Sequence, residues 1–371
     1  MSKIFLIGDT HISLGYPHKS DKWYKVHVEY FEKFLIPLLK SRVVEGDIIV
    51  HLGDLFDNRN IVPIDLLNYG MSVVEKISEI APLHILVGNH DCWHKSSSDI
   101  TTIKPFKYIP NVFIYDKPTK IRFGELDLLM MPFIENKKDQ IEVIKDNMDC
   151  HYLFCHSDLN GAKMHLSSAA HKNQDKIDIN EFSNFIKVFS GHLHIVQHSR
   201  NFTFVGNNFQ MDRNDYGDQK GIFVLDLETG IDEFIKNELS PVFVKVTVMS
   251  EEDMIKLESV DTSRNYVDIV LSNSLLSTSR KLRRKIEMIL EKGNFTSVEY
   301  MDDLIKESKI PIPKIATENG KSINYSEEFT TIVYDYIEDI EFKDTKIKDG
   351  VLGEYEKIVD IYKQNYKSND I

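Results

Sequence analysis

Asp47-Ile48-Ile49-Val50-His51-Leu52-Gly53-Asp54-Leu55-Phe56-Asp57 decides how the rest of the chain is read. The apolar, β-branched residues before Gly53 have the length and composition of a buried strand, and the strand breaks at Gly53 into a tip bearing carboxylates. The pattern recurs four times. Lys3–Ile7 runs into Gly8-Asp9-Thr10-His11, Leu83–Val87 into Gly88-Asn89-His90-Asp91, Tyr152–Cys155 into His156, and Val188–Phe189 into Gly191-His192-Leu193-His194. Each tip falls in the loop after a strand end, where α/β folds build their sites.

Working outward, Tyr24–Lys40 and Ile64–Ile80 carry apolar residues at three- and four-residue intervals and read as helices. From Val112 the texture turns to hairpins, with Val112–Tyr115, Lys120–Phe123 and Glu125–Met131 as strands and Gly124 at a turn. Phe202–Val205 and Ile222–Leu227 form a second strand group after the last His motif. Early strands with helices and later strand pairs predict an α/β fold of two packed sheets flanked by helices. Past Asp232 the ligand-type residues stop. Val242–Val248, Tyr266–Leu271, a helix over Ser279–Lys292 and Phe295–Tyr300 predict a small α/β module, then a Pro-containing linker and a charged tail with apolar residues at helical spacing.

The tip residues Asp9, His11, Asp54, Asn89, His156, His192 and His194 are two carboxylates, an amide and four imidazoles. Hard and borderline divalent ions accept such an O/N mixture, Mn²⁺ first and Mg²⁺ as the alternative, whereas thiolate-preferring ions would want Cys. Two ions about 3.5–4 Å apart need a shared carboxylate, and Asp54 is the candidate bridge. His90, with Asp91 beside it to fix its tautomer, is the candidate proton donor or electrostatic partner of a leaving alkoxide. Taken singly, each motif is ordinary turn or core chemistry; their joint occurrence in this order after apolar runs is what points to phosphoester hydrolysis. His94 stands between a supporting role at the site and a solvent-facing one. His18, His27, His51, His84, His151, His165, His171 and His198 read as surface or structural.

Hydrophobic residues at 42% and charged ones at 28% describe a chain with a real core rather than a disordered or membrane-spanning one. Cys92, Cys150 and Cys155 form no CxxC pair and read as reduced, buried thiols of a cytoplasmic protein. The net charge of −13 sits badly with nucleic-acid binding unless basic surface is local, supplied by a partner, or offset by bound cations. The densest basic cluster is Arg280-Lys281-Leu282-Arg283-Arg284-Lys285. It is a candidate DNA contact, or a solvated helix face balanced by Glu287 and Glu291.

The five motifs resemble the calcineurin-like metallophosphoesterase superfamily over about Ile4–His194. Within it, the chain is most similar to the SbcD-type subunits of double-strand-break repair nucleases and to the T-even-type phage recombination endonuclease subunits. Gly53-Asp54-Leu55-Phe56-Asp57-Asn58-Arg59, Phe154-Cys155-His156-Ser157-Asp158-Leu159-Asn160-Gly161-Ala162 and the Val205-Gly206-Asn207…Asp215…Lys220-Gly221 stretch carry that likeness. The resemblance implies a four-layer αββα sandwich, a small α/β DNA-capping domain and a helical C-terminal tail. Its domains would be a nuclease over 1–238, a cap over 239–309, a linker over 310–325 and a segment over 326–371 that binds a coiled-coil ATPase of the SbcC type. The implied activity is Mn²⁺-dependent exo- and endonucleolytic cleavage of DNA, in the host-cell cytoplasm if the chain is phage-encoded. Asp9, His11, Asp54 and His194 would hold one ion; Asp54, Asn89, His156 and His192 would hold the other.

Asp57 stands where cellular members carry a second catalytic His, so its role is open between shaping the turn and orienting His90. Arg59, in the same stretch, is likewise open. In the tail, Tyr355, Ile358, Val359 and Tyr362 lie on one helical stripe suited to docking on the ATPase, and equally suited to packing on the chain's own domain. The apolar face of Ile64–Ile80 serves either a homodimer, as the resemblance implies, or the core. Two other functions fit the same motifs: a small-substrate phosphatase or cyclic-nucleotide phosphodiesterase, and a non-catalytic scaffold on the same fold.

Overall fold

The computed structural model describes residues 2–301, apart from 14–20, 95–96, 167, 169–172, 174, 251, 262–264, 273–279 and 293–296, together with Leu352, Tyr355 and Lys357. Two six-stranded mixed sheets form the centre. In the first, the order is Asp232–Lys236, Gly221–Asp226, Lys3–Ile7, Ile48–His51, Leu83–Leu86 and Val112–Tyr115. In the second it is Gln197–Ser199, Phe202–Phe204, Lys187–Ser190, Tyr152–Cys155, Leu126–Met131 and Thr119–Phe123. The inner strands of each sheet pair in parallel, so they send their carboxyl ends, and the motif tips, to one edge.

Alternation along each strand sorts the side chains into layers. Ile4, Leu6, Ile48, Val50 and Leu86 of the first sheet meet Leu128, Met130, Tyr152, Phe154 and Phe189 of the second in the inter-sheet core. On the far face of the first sheet, Phe5, Ile7, Ile49 and Ile85 pack with Tyr30, Phe31, Leu35, Leu39, Val73 and Ile77 from helices. Beyond the second sheet, Leu129, Leu153, Val188 and Phe202 pack against Ile144 of the Lys137–Asp146 helix and Phe182 of a short 3-10 turn. The result is an αββα sandwich.

Three local expectations change. The helix read over Tyr24–Lys40 runs as α-helix Asp21–Glu29, a π-helical stretch Tyr30–Leu35 and α-helix Ile36–Arg42. Pro37 lacks an N–H and its ring would strike the carbonyl one turn back, so the chain widens there. Val112–Tyr115 is no hairpin member: it pairs in parallel with Leu83–Leu86 at the edge of the first sheet. The true hairpin is Thr119–Phe123 with Leu126–Met131, turning at Gly124, whose φ is +60°. Phe202–Phe204 and Gly221–Asp226 likewise join different sheets, the latter antiparallel to Lys3–Ile7.

The chain after the sandwich forms a three-stranded parallel sheet, Phe243–Val248, Tyr266–Ser272 and Ser297–Met301, with helix Arg280–Lys292. Val246, Val248, Leu257, Ile269, Leu271 and Ile286 form its own core. Tyr266 reaches into the sandwich core, its ring 5.6 Å from Trp23 and stacked on Phe243. Helix Ile64–Ser78 uses Leu66, Val73, Val74 and Ile77 for the core and leaves Ile64 exposed at its start. Among the described residues no helix is long and apolar enough to cross a membrane. In the tail, Tyr355 is helical and half-buried, while Ile358, Val359 and Tyr362 lie outside the described residues.

Because Phe154 is fully buried between the sheets, Phe154→Ala is expected to cost about 3–5 kcal/mol of unfolding free energy. Ile64→Ala, at a side chain 78% exposed, should stay within about 0.5 kcal/mol. Urea unfolding of the two variants checks this, and equal midpoints would place the core elsewhere.

Candidate metal centre

The seven tip residues meet where the strands of both sheets end. Three of them, His11, Asp54 and His192, hold positive φ angles of 44°, 53° and 81°. L-residues accept such backbone only where surrounding structure enforces it. Glycines leave the room: a Cβ on Gly88 would run into the Asp54 carboxylate, and one on Gly191 into that of Asp9.

Two clusters result, with Asp54 between them. In one, His11 and His194 face each other with their Nε2 atoms 3.0 Å apart, and His11 Nε2 lies 3.8 Å from Asp54 Oδ2. Asp9, His11 and His194 offer ligand atoms close enough to share an ion. In the other, Asn89 Oδ1 is 2.9 Å from His156 Nε2 and 2.7 Å from His192 Nδ1. His156 Nε2 is also 3.4 Å from Asp54 Oδ2. The His156 Nδ1–H donates to the Leu52 carbonyl at 2.7 Å, so in a neutral ring Nε2 carries a lone pair.

A lone pair, an amide oxygen and a carboxylate oxygen therefore point at one another in a buried place. Burial, helped by the neighbouring Asp54 and Asp91 carboxylates, pushes Asp9 up to about 8 against the pull of His156. The His156 ring, drawn down by burial, is raised to about 10 by Asp54 and Asp9. Asp54 is pushed up by burial yet held well below the usual carboxylate range by His156. Among the described residues, the buried Nδ1 of His11 has no hydrogen-bond partner. Convergent acceptors that must otherwise be relieved by protonation fit divalent cations, and the oxygen and nitrogen donors do not choose among them.

His90 sits beside this centre. Its backbone N–H donates to Asp54 Oδ1 at 2.7 Å and its ring Nδ1 to the Asp57 carbonyl, 2.5 Å away. The ring lies edge-on to His11 with centroids 4.9 Å apart. The sequence reading gave Asp91 the task of orienting His90, and the structure corrects that. The buried Asp91 carboxylate instead accepts from the backbone N–H groups of Gly88, Asp54 and Leu55 at 2.9–3.1 Å, tying two motif loops together. The Asp57 side chain is half-exposed, its Oδ1 3.6 Å from His11 Nδ1. Arg59 is half-buried nearby, and His94 is exposed on a short hairpin.

Several supports were not singled out from sequence. His51, read as surface or structural, shares a hydrogen bond with the Thr10 hydroxyl. Asp158 Oδ2 lies 3.2 Å from His192 Nε2 and also pairs with Lys176; although burial pushes its carboxyl up, the His192 hydrogen bond brings it down to about 2. Asn208 donates to the Gly8 and Asp9 carbonyls. Lys220, wholly buried, donates to the His194 carbonyl at 2.8 Å and pairs with Asp215 and Asp218 at 2.7 Å. Such a charge is stable inside only because both carboxylates and the carbonyl meet it. Asp158, Asp215 and Lys220 stand in segments whose family likeness was read from sequence, but that reading gave them no such contacts.

Asp91→Asn keeps the shape but sets an NH₂ group among backbone donors. An expected loss of about 1–3 kcal/mol in urea unfolding, with weaker divalent-ion binding by calorimetry, follows. Unchanged values for both would remove Asp91 from the scaffold of the site.

A family model described as calcineurin-like phosphoesterase matches residues 2–196. Among curated proteins, exonuclease subunit 1 of Enterobacteria phage T4 is 26% identical over 243 residues, covering 63% of this chain and 68% of that one. A provisionally named phosphoesterase of Invertebrate iridescent virus 3 is 26% identical over 277 residues, 71% of this chain and 76% of its own. Among solved structures, an archaeal phosphodiesterase aligns with a TM-score of 0.34 at 15% identity, over 63% of this chain and all but 1% of the other, too loosely to add to the argument. With the family model spanning more than half the chain and every one of its strand-end tips converging on one His/Asp cluster, the chain belongs to the calcineurin-like phosphoesterases.

Proposed function

We propose that this phosphoesterase is a DNA nuclease subunit that hydrolyses phosphodiester bonds in recombination and double-strand-break repair. The observation that carries the reading is the 243-residue likeness to the phage exonuclease subunit, which is longer than the family-model span and so extends beyond the shared catalytic motifs. The small module following the sandwich supports it, since a compact phosphatase needs no such addition. Two divalent ions, Mn²⁺ in preference to Mg²⁺, would be held by Asp9, His11, Asp54 and His194 and by Asp54, Asn89, His156 and His192. When bound, such a pair supplies a hydroxide nucleophile and neutralises charge on the phosphate.

The chain's own side chains do the rest. The Asp57 carbonyl fixes the His90 tautomer with hydrogen on Nδ1, leaving Nε2 to exchange a proton with the leaving oxygen. Asp158 holds the far nitrogen of His192, which steadies the ring that meets Asn89. A cavity of about 270 Å³ opens beside these residues, walled by Phe133, Ile134 and Ile177 and by Lys176, and gives a substrate room next to the cluster. On helix Arg280–Lys292, Arg283 and Arg284 are exposed, and Lys285 pairs with Glu258. The two arginines are assigned to duplex DNA; the tail is assigned to a coiled-coil ATPase, with homodimerisation as a second mode of assembly.

End-labelled duplex DNA with Mn²⁺ is the deciding substrate, with bis(4-nitrophenyl) phosphate in parallel. Cleavage of DNA supports the reading; turnover of the small ester alone overturns it in favour of a small-substrate phosphodiesterase. Asp54→Ala should abolish both activities in a folded protein, whereas His90→Asn should keep metal binding and slow turnover on the order of 10²–10⁴-fold. Loss of metal binding by calorimetry in His90→Asn would make it a ligand instead.

The paired change Arg283→Glu and Arg284→Glu should weaken DNA binding and flatten its dependence on salt, because fewer phosphate counterions are released. An unchanged slope of log affinity against log salt would leave that face a solvated one.

A further inference from the structure

Just past His90 the chain forms a two-stranded hairpin, Cys92–His94 with Ser97–Thr101. Its base is pinned to the metal loop: Thr102 N–H donates to the Asp91 carbonyl at 2.9 Å, and Cys92 Sγ to the Gly88 carbonyl at 3.4 Å. The hairpin carries Trp93, 47% exposed, edge-on to the His94 ring at 5.9 Å. The chain's other tryptophan, Trp23, is 9% exposed and packs among His27, Phe209 and Tyr266. One indole thus serves the core, while the other is presented to solvent from a rigid base. Trp93 lies three residues from His90, so their Cα atoms are no more than about 11 Å apart, roughly three stacked nucleotides along a strand.

A cation accompanies it. Arg59 belongs to the loop that begins at Asp54, and among the described residues it makes no ion pair. Its guanidinium is near enough to Cys92 to act on that thiol, which burial pushes up to about 12 against the pull of Arg59. Arg59 follows by two residues the Asp57 carbonyl that holds the His90 ring, so an exposed indole three residues after His90 and a guanidinium on the loop that holds it flank the same catalytic side chain. These are the two groups that sequence-tolerant binding of a single strand uses, one for a base face and one for a phosphate.

We propose that Trp93 and Arg59 form a subsite for unpaired DNA next to the scissile phosphate, the indole stacking on a base and the guanidinium meeting the backbone. The proposal rests on the nuclease reading and sharpens it. Stacking tolerates any base, so the subsite grips a frayed end without selecting a sequence, and it separates a strand substrate from a small phosphoester, which has no base to offer.

The full-length protein is titrated with a short single-stranded oligonucleotide, divalent ions withheld, while tryptophan emission is followed. Emission from the wild type should be quenched, and the quenching should vanish in Trp93→Phe. Trp93→Ala should weaken binding on the order of 5- to 150-fold by anisotropy, with Trp93→Phe recovering much of it. Arg59→Gln should lower the slope of log affinity against log salt by about 0.7, the release from one single-strand phosphate. Circular dichroism and unfolding midpoints like the wild type's confirm that changes at exposed Trp93 and half-buried Arg59 leave the fold intact. DNA cleavage by the wild type together with unquenched emission and undiminished affinity in Trp93→Ala overturns the subsite and leaves the nuclease standing. A wild type that neither binds nor cuts DNA overturns both.

Discussion

The structure depends on forcing lone pairs together. Asp9, Asp54, Asn89 and four imidazoles are gathered into two clusters that meet at Asp54 in a place largely closed to water, and left to itself each would turn away. That arrangement survives because the groups are fixed from behind. Three backbone amides anchor Asp91, the Leu52 carbonyl aims His156, and Lys220 braces the His194 peptide from inside the core. The left-handed backbone at His11, Asp54 and His192 marks where the sandwich imposes conformation on the ligands. Stability and function draw on the same contacts, so the two packed sheets act as a clamp that keeps a repulsive cluster ready for cations.

Much of this was legible because strand and ligand are neighbours in sequence. An apolar run that ends in Asp, Asn or His announces both a buried strand and what its tip presents, and the five tips do converge. Pairing between strands was less legible. Val112–Tyr115 lies close to hairpin candidates along the chain, yet it joins the first sheet through a distant, parallel partner, while Phe202–Phe204 makes a tight hairpin with the short strand Gln197–Ser199 and pairs in parallel with Lys187–Ser190. Local spacing cannot encode which of two sheets a strand enters when both cores want the same Ile, Val and Phe. Pro37 was in plain view, and its missing donor explains the π-helical widening.

Asp91 shows a different limit. Adjacency to His90 suggested a carboxylate–imidazole pair, but successive side chains in a turn leave in different directions. Asp91 points inward to backbone amides, and the His90 ring turns to the Asp57 carbonyl. Asp57 thus meets His90 through its backbone, which any residue type would supply. Support by main-chain atoms leaves no trace in residue identity, and for that reason the scaffold of the site was harder to read than its ligands.

The acidic balance of the chain, −13, bears on how substrate specificity is divided. A metal cluster of this kind treats the phosphate and leaves the rest of the substrate unread, so family members with the same tips can act on different esters. Discrimination must come from the rim, where loop residues are free to differ. Here the cavity beside the cluster is lined by Phe133, stacked near His192, and by Lys176 beside Asp158, and the subsite proposed above adds Trp93 and Arg59. These are few cations and several aromatic faces. On the nuclease reading proposed above, such a rim would meet phosphate charge mainly with metal ions and bases with rings, so that an acidic protein could act on a polyanion without a broad basic surface.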